Sequence, residues 1–126
     1  MKLPRRTVLH LAAGGAALLA LSRVAWAQGY PARPVRIIVG FAPSGATDIM
    51  ARLIGQWLSE RLGQQFIVEN RPGAARNIAT EAVVNAPPDG YTLLVVTSVN
   101  AINATLYAKL SFNLIRDIAP VASIHR

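Results

Sequence analysis

The chain has 126 residues, of which 13 are basic and 6 acidic, and it contains no cysteine, which excludes a disulfide framework, a thiolate metal site and a cysteine nucleophile. Four of the basic residues, Lys2, Arg5, Arg6 and Arg23, lie near the N-terminus, and the others are scattered. Because nucleic-acid binding requires a basic stripe interleaved with aromatic residues, we expect no nucleic-acid partner.

The N-terminal segment is typical of an export signal. It has a basic start, a modest apolar run and Ala25-Trp26-Ala27, which fits a small-residue cleavage site. The apolar run is shorter than the roughly 20 residues that span a bilayer, so a membrane anchor is the less favoured alternative. The paired Arg5 and Arg6 indicate the twin-arginine route, with an ordinary basic start as the alternative. We expect a signal over residues 1–27, one domain over residues 28–126, and a product in the periplasm.

A buried strand and an amphipathic helix are predicted next. An almost continuous apolar run predicts a strand over residues 35–41, of the kind found in parallel sheets with helices on both faces. Helical spacing of apolar residues over 48–62, followed by Gly63, predicts a helix with a single apolar face. That face comprises Ile49, Met50, Leu53, Ile54, Trp57, Leu58 and Leu62.

Two further pairs of strand and helix patterns follow. The predicted strands cover residues 65–69 and 91–98, and the predicted helices cover residues 78–86 and 100–107. The resulting βαβαβα order predicts an α/β fold with a mainly parallel sheet and right-handed crossovers. In such sheets ligands bind beyond the carboxyl ends of the strands, where the loops after all three strands would lie.

The loop after the first strand is the main candidate for a binding site. It leads into a helix N-terminus, where unpaired backbone N–H groups and the positive end of the helix dipole favour an anion. Its candidate residues are Phe41, Ala42, Pro43, Ser44, Gly45, Ala46, Thr47 and Asp48. A nucleotide phosphate loop is disfavoured because Ala46 stands where the lysine that meets the phosphates is required. We expect Asp48 to cap its helix rather than contact an anion, with Thr47 as the competing cap.

The loops after the second and third strands supply further candidates. Gly73, with Arg71 and Arg76, could help to hold an anion, and the alternative is that both arginines are solvated. Neutral hydrogen-bond donors follow the third strand, with ordinary strand-end and helix-cap hydrogen bonding as an equally weighted alternative. These donors are Thr97, Ser98, Asn100 and Asn103.

The sequence contains no catalytic or metal-binding constellation. After residue 27 the single histidine is His125, and the acidic residues are too dispersed to form a pair. We therefore expect a binding protein without metal or cofactor. An enzyme of the doubly wound α/β class is the remote alternative.

Several ordered motifs resemble one family. They are Tyr30-Pro-x-x-Pro-Val-Arg-Ile-Ile-Val, Phe41-Ala-Pro-Ser-Gly-Ala-Thr-Asp48, Glu69-Asn-Arg-Pro-Gly73 and Pro88-Asp-Gly-Tyr-Thr-Leu93. Together they resemble the Bug (TctC-like) family, the periplasmic solute-binding proteins of tripartite tricarboxylate transporters. The resemblance implies a two-lobed α/β receptor, not an enzyme, that traps a small carboxylate between its lobes. The ligand would be a di- or tricarboxylate, an acidic amino acid or an aromatic acid.

The resemblance also implies the contacts and the partner. The first loop and the loop after the third strand would grip the ligand carboxylate through backbone N–H groups, side-chain donors and bridging waters. The receptor would then deliver the ligand to the membrane permease subunits of the transporter.

The chain departs from the family pattern in three respects. Ser44 replaces a glycine, and Ala75, Arg76 and Ala79 stand where the family has a glycine-rich run. If that run needs positive φ or close backbone approach, these residues strain it or fill part of the site. The third departure is length, because we expect only the opening βαβαβα part of the first lobe, without the second lobe. A truncated, non-functional remnant that binds no ligand is therefore the alternative.

Overall fold

The computed structural model describes residues 29–124, in which strands and helices alternate along the chain. The expected export signal and His125 lie outside this range. The elements are β1 Val35–Val39, α1 Ala46–Leu62, β2 Phe66–Asn70, a 3₁₀ turn Ala74–Arg76, α2 Asn77–Val84, β3 Thr92–Leu94, α3 Ser98–Leu106 and α4 Leu114–Asp117. Among the described residues, no helix is long and apolar enough to cross a membrane.

The three strands form one parallel sheet in the order β2-β1-β3. Ile37 at the centre of β1 lies opposite Val68 on one side and Leu93 on the other. The predicted α/β class and the parallel sheet are confirmed. Since all three strands point the same way, the loops that follow them lie at one edge of the sheet.

The central strand is buried on both faces, as its apolar run predicted. Val35, Ile37 and Val39 form a core cluster with Ala51 of α1 and Phe66 of β2. Alternate residues of a strand point to opposite faces, so Ile38, which is 0% exposed, lies on the other side. Helix α2 contacts β1 and β3. This double burial makes β1 the rigid support for the loop that follows it.

The predicted apolar face of α1 is only partly correct. The helix buries the small residues Ala51 and Gly55, and Ile54 and Leu58 are half-buried. A Cβ on Gly55 would lie 3.2 Å from the backbone oxygen of Phe66, so the helix approaches the sheet too closely for a larger side chain. The remaining predicted members are exposed: Ile49, Met50, Leu53, Trp57 and Leu62.

Two predicted element boundaries are wrong. The third strand is only three residues long, because Thr97 is already the N-cap of α3 and Ser98 its first residue. Helix α1 begins at Ala46 with Gly45 as its N-cap, so neither Thr47 nor Asp48 caps it. The other strand and helix ends agree with the predictions to within two residues, and the one-turn helix α4 was not predicted.

Candidate functional site

The loop after β1 presents the N-terminus of α1 at the carboxyl edge of the sheet. The first hydrogen bond of the helix joins Ile49 N to Gly45 O at 3.0 Å. The N–H groups of Ala46, Thr47 and Asp48 precede that bond and have no carbonyl of the helix to which they could donate. They are therefore the donors that the sequence predicted for an anion.

A groove of about 200 Å³ lies between this helix end and the loop after β3. Its walls are formed by Ala46, Thr47, Met50, Val95, Val96 and Thr97. Thr97 is the N-cap of α3, so the groove lies between the N-termini of two helices. Because both helix dipoles place partial positive charge there, the groove is suited to a small anion with an apolar portion.

Asp48 fixes the conformation of the first loop. Asp48 is 2% exposed, and its carboxylate accepts hydrogen bonds from Arg52 Nε at 3.0 Å, Ser44 N at 2.9 Å and Asn70 Nδ2 at 2.8 Å. The same Asn70 amide donates to Phe41 O at 3.0 Å. The hydrogen bond from Arg52, followed by those from Ser44 and Asn70, lowers the pKa of Asp48 to about 2. Both carboxylate oxygens are therefore engaged within the protein.

The two sequence departures in the loops coincide with left-handed backbone. Ser44 has φ 72°, and the glycine-poor turn after β2 has φ 44° at Ala74, 51° at Ala75 and 74° at Arg76. The condition stated for the second loop is therefore met at Ala75 and Arg76, and Ser44 in the first loop also has positive φ. L-residues adopt this conformation at a cost of about 1–2 kcal/mol each.

Ala79 does not share this strain because it lies within α2. Ala79 is fully buried, and a Cβ placed on Gly40 would lie 3.3 Å from the Cβ of Ala79. At position 79, alanine in place of the family's glycine affects packing and not backbone conformation. Gly40 keeps β1 close to α2 at the point where the first loop begins.

The strained turn is held in place by α3. Asn103 is 3% exposed, and its Nδ2 donates to Ala75 O at 2.5 Å and to Asn77 Oδ1 at 3.1 Å. Strained backbone persists where the surroundings determine it in this way. The Asn103 side chain, predicted as a possible ligand donor, therefore supports the second loop.

The two arginines of the second loop are not simply solvated. Arg71 Nε lies 2.6 Å from Glu69 Oε1, in an ion pair. The guanidinium of Arg76 lies over the ring of Phe41, with 3.9 Å between Cζ and the ring centroid. Gly73 has φ 125° and turns the chain into the 3₁₀ turn, and it is not among the residues that line the groove.

Some of the residues after β3 are buried and support the start of α3, and others are exposed. Asn100 is 5% exposed, accepts a hydrogen bond from Thr97 N at 2.9 Å and donates to Thr80 Oγ1 at 3.1 Å. The hydroxyl of Thr97 donates to the same Asn100 oxygen at 3.1 Å. For Asn100 these contacts favour the helix-cap alternative, whereas Ser98 is exposed at the first position of α3.

Sequence reasoning missed several residues of this site. Arg52 and Asn70 complete the Asp48 network, and Arg52 was detectable because it lies four residues after Asp48 on the same helix face. Met50, Val95 and Val96 give the groove its apolar wall.

A larger groove of about 350 Å³ lies apart, between the end of α3 and α4, and no charged residue lines it.

Comparison with known proteins gives consistent matches. Residues 50–126 match the family described as the tripartite tricarboxylate transporter family receptor. Protein BugT of Bordetella pertussis is 40% identical over 100 residues, which cover 78% of this chain and 31% of that protein. The chain thus spans about a third of the length of this relative.

Solved structures of similar proteins agree in fold. MatC from Rhodopseudomonas palustris with bound malate is 37% identical, with a TM-score of 0.65 over 70% of this chain and 30% of that one. A second R. palustris protein, solved with adipate, is 40% identical, with a TM-score of 0.60 over 67% of this chain and 28% of its own.

Proposed function

Because the chain belongs to the tripartite tricarboxylate transporter receptor family, we propose that it captures a small carboxylate in the groove between α1 and α3. The observation that carries the proposal is the convergence of two helix N-termini on one groove. Malate and adipate, which are bound to two of the similar structures, are both small carboxylates. In this family the role is that of a receptor, and turnover of the ligand is no part of the proposal.

The groove would hold the carboxylate at its polar end. The N–H groups of Ala46 and Thr47 face no helix carbonyl, and the exposed residue Ser98 begins α3 on the opposite side. The apolar wall of Met50, Val95 and Val96 would then meet the carbon chain of the acid. Asp48 contributes indirectly, since its hydrogen bonds hold the loop Phe41 to Gly45 in position.

Location and partner follow from the same family role. We propose that residues 1–27 direct export to the periplasm and that residues 28–126 correspond to the opening part of a first lobe. Membrane permease subunits of a tripartite transporter would receive the ligand. The groove is open on one side, and pockets usually bury most of a ligand's surface, so we expect affinity on the order of millimolar.

Amide NMR of the chain during titration with malate, adipate, citrate and glutamate tests the proposal. We expect one or more of these acids to shift the amide signals of Gly45, Ala46 and Thr47. Gly45→Val is the informative variant, since Gly45 has φ −78° and a Cβ would meet only Ala42 O at 3.7 Å. The variant should fold and should bind about tenfold more weakly, because it obstructs one charge-assisted hydrogen bond.

Gly29→Val is the matched control. A Cβ at Gly29 meets no atom within 4 Å, and Gly29 precedes β1 at the opposite edge of the sheet. This variant should bind as the unmodified chain does. Equal losses in the two variants would contradict the site, and a folded chain that responds to none of the acids would favour the non-functional alternative.

A further inference from the structure

Arg76 carries a positive charge that the rest of the site does not neutralise. Its guanidinium stacks on the ring of Phe41, the first of the candidate binding residues in the loop after β1, which is called the site loop below. Within residues 29–124, Arg76 takes part in no ion pair, whereas Arg52 pairs with Asp48 and Arg71 pairs with Glu69. At this edge of the sheet, the acidic side chains near the loop are thus already matched by other arginines.

The position of Arg76 is set by packing on both sides. A Cβ on Gly40 would lie 2.8 Å from Arg76 Cβ, so the arginine stem lies directly on the backbone that leads into the site loop. Phe41 and the groove residue Val95 pack against the same hydrophobic cluster. Arg76 does not itself line the groove. Its guanidinium lies at the same sheet edge because it stacks on Phe41, which follows the end of β1, and the half-buried Arg76 is not a freely moving surface residue.

We propose that Arg76 is a specificity-determining residue that selects acids with a second carboxylate. This inference rests on the proposed function, in which the two helix N-termini hold one carboxylate. The second carboxylate would pair with the Arg76 guanidinium, which presents several N–H donors in a plane suited to carboxylate geometry. A monocarboxylate would leave this cation without a partner.

Binding of hexanoate and adipate by the full chain tests the inference. Hexanoate and adipate have the same number of carbon atoms, but only adipate has a second carboxylate. The ratio of their dissociation constants therefore measures what the second carboxylate contributes to binding. We expect adipate to bind about fivefold more tightly than hexanoate, as for a partly exposed ion pair. The preference should decrease as salt is raised, because salt screens exposed charges.

Two variants at the same position separate charge from structure. Arg76→Gln should remove the preference, so that adipate and hexanoate have similar dissociation constants, whereas Arg76→Lys should keep most of the preference. Both keep a Cβ at φ 74°, so the backbone strain is the same in each. Arg71→Gln is the control for a general loss of positive charge, and the preference should persist in it because Arg71 is paired with Glu69.

The remaining outcomes would contradict either the role of Arg76 or the proposed function. An unchanged ratio in Arg76→Gln, including the case in which both acids bind equally more weakly, would show that Arg76 does not select the second carboxylate. A ratio near one in the unmodified chain would do the same while leaving the proposed function intact. A folded chain that binds neither acid would overturn the proposed function and this inference with it.

Discussion

Replacing Ala75 with glycine should stabilise the chain. Ala75 has φ 51° and ψ 38°, within the left-handed helical region, where an L-residue costs about 1–2 kcal/mol relative to its preferred conformations. Glycine avoids that cost but adds about 0.5–1 kcal/mol of backbone entropy to the unfolded chain. The expected net gain is about 0.5–1 kcal/mol.

Little else should change at this position. The Ala75 side chain is exposed, so its removal leaves no cavity in the core. The hydrogen bond that the Ala75 carbonyl accepts from Asn103 uses a backbone atom, which glycine retains. The conformational gain is therefore not offset by a lost contact.

Thermal and urea unfolding measure the effect. For a domain of this size, about 0.5–1 kcal/mol corresponds to a rise in Tm of roughly 2–8 °C. Ala101→Gly is the matched control, because Ala101 is an exposed alanine within α3, where glycine should cost about 0.5–1 kcal/mol. The same chemical change should thus have opposite signs at the two positions. If both variants lose stability equally, the left-handed turn is not strained as we argue.

Two further predictions concern the Asp48 network and the contact between α1 and the sheet. The pKa of Asp48 is lowered to about 2 from an ordinary 3.8. The contribution of ionised Asp48 to the free energy of unfolding is therefore fully present above the ordinary pKa and is lost as the pH falls toward 2. The stability difference between the chain and Asp48→Asn should therefore shrink between pH 7 and pH 2 in urea unfolding, and a constant difference would refute the network. Gly55→Leu should destabilise by about 1–3 kcal/mol, because a Cβ already lies 3.2 Å from Phe66 O. Unchanged urea unfolding of this variant would refute the close helix–sheet approach.

The sheet and its loops could be predicted because their signals are local. The apolar run of β1 indicates burial on both faces wherever the strand lies, and alternation with helices fixes the parallel order. The face of α1 was harder to predict because apolar spacing gives the direction of a stripe but not what it packs against. Ala51 and Gly55 contribute little to hydrophobic periodicity, yet they allow the closest approach to the sheet.

The candidate site was predictable to a similar degree. The loop from Phe41 and its helix N-terminus follow from residue types, and the pairing of Arg52 with Asp48 follows from helical spacing. The stacking of Arg76 on Phe41 joins residues that are far apart in sequence, and no local pattern encodes it. The role of Asn103 under the second loop depends in the same way on how α3 packs.

The exposed Trp57 of α1 provides a spectroscopic probe of that helix. Its side chain is 54% exposed, and the Arg61 guanidinium lies 5.0 Å from the ring centroid. The other tryptophan of the sequence, Trp26, lies within the expected export signal, so residues 28–126 contain a single indole. Water around that indole should give a red-shifted fluorescence maximum, and any polypeptide that covers the outer face of α1 should shift it to the blue. Association at this surface can thus be followed by intrinsic emission, without an added dye.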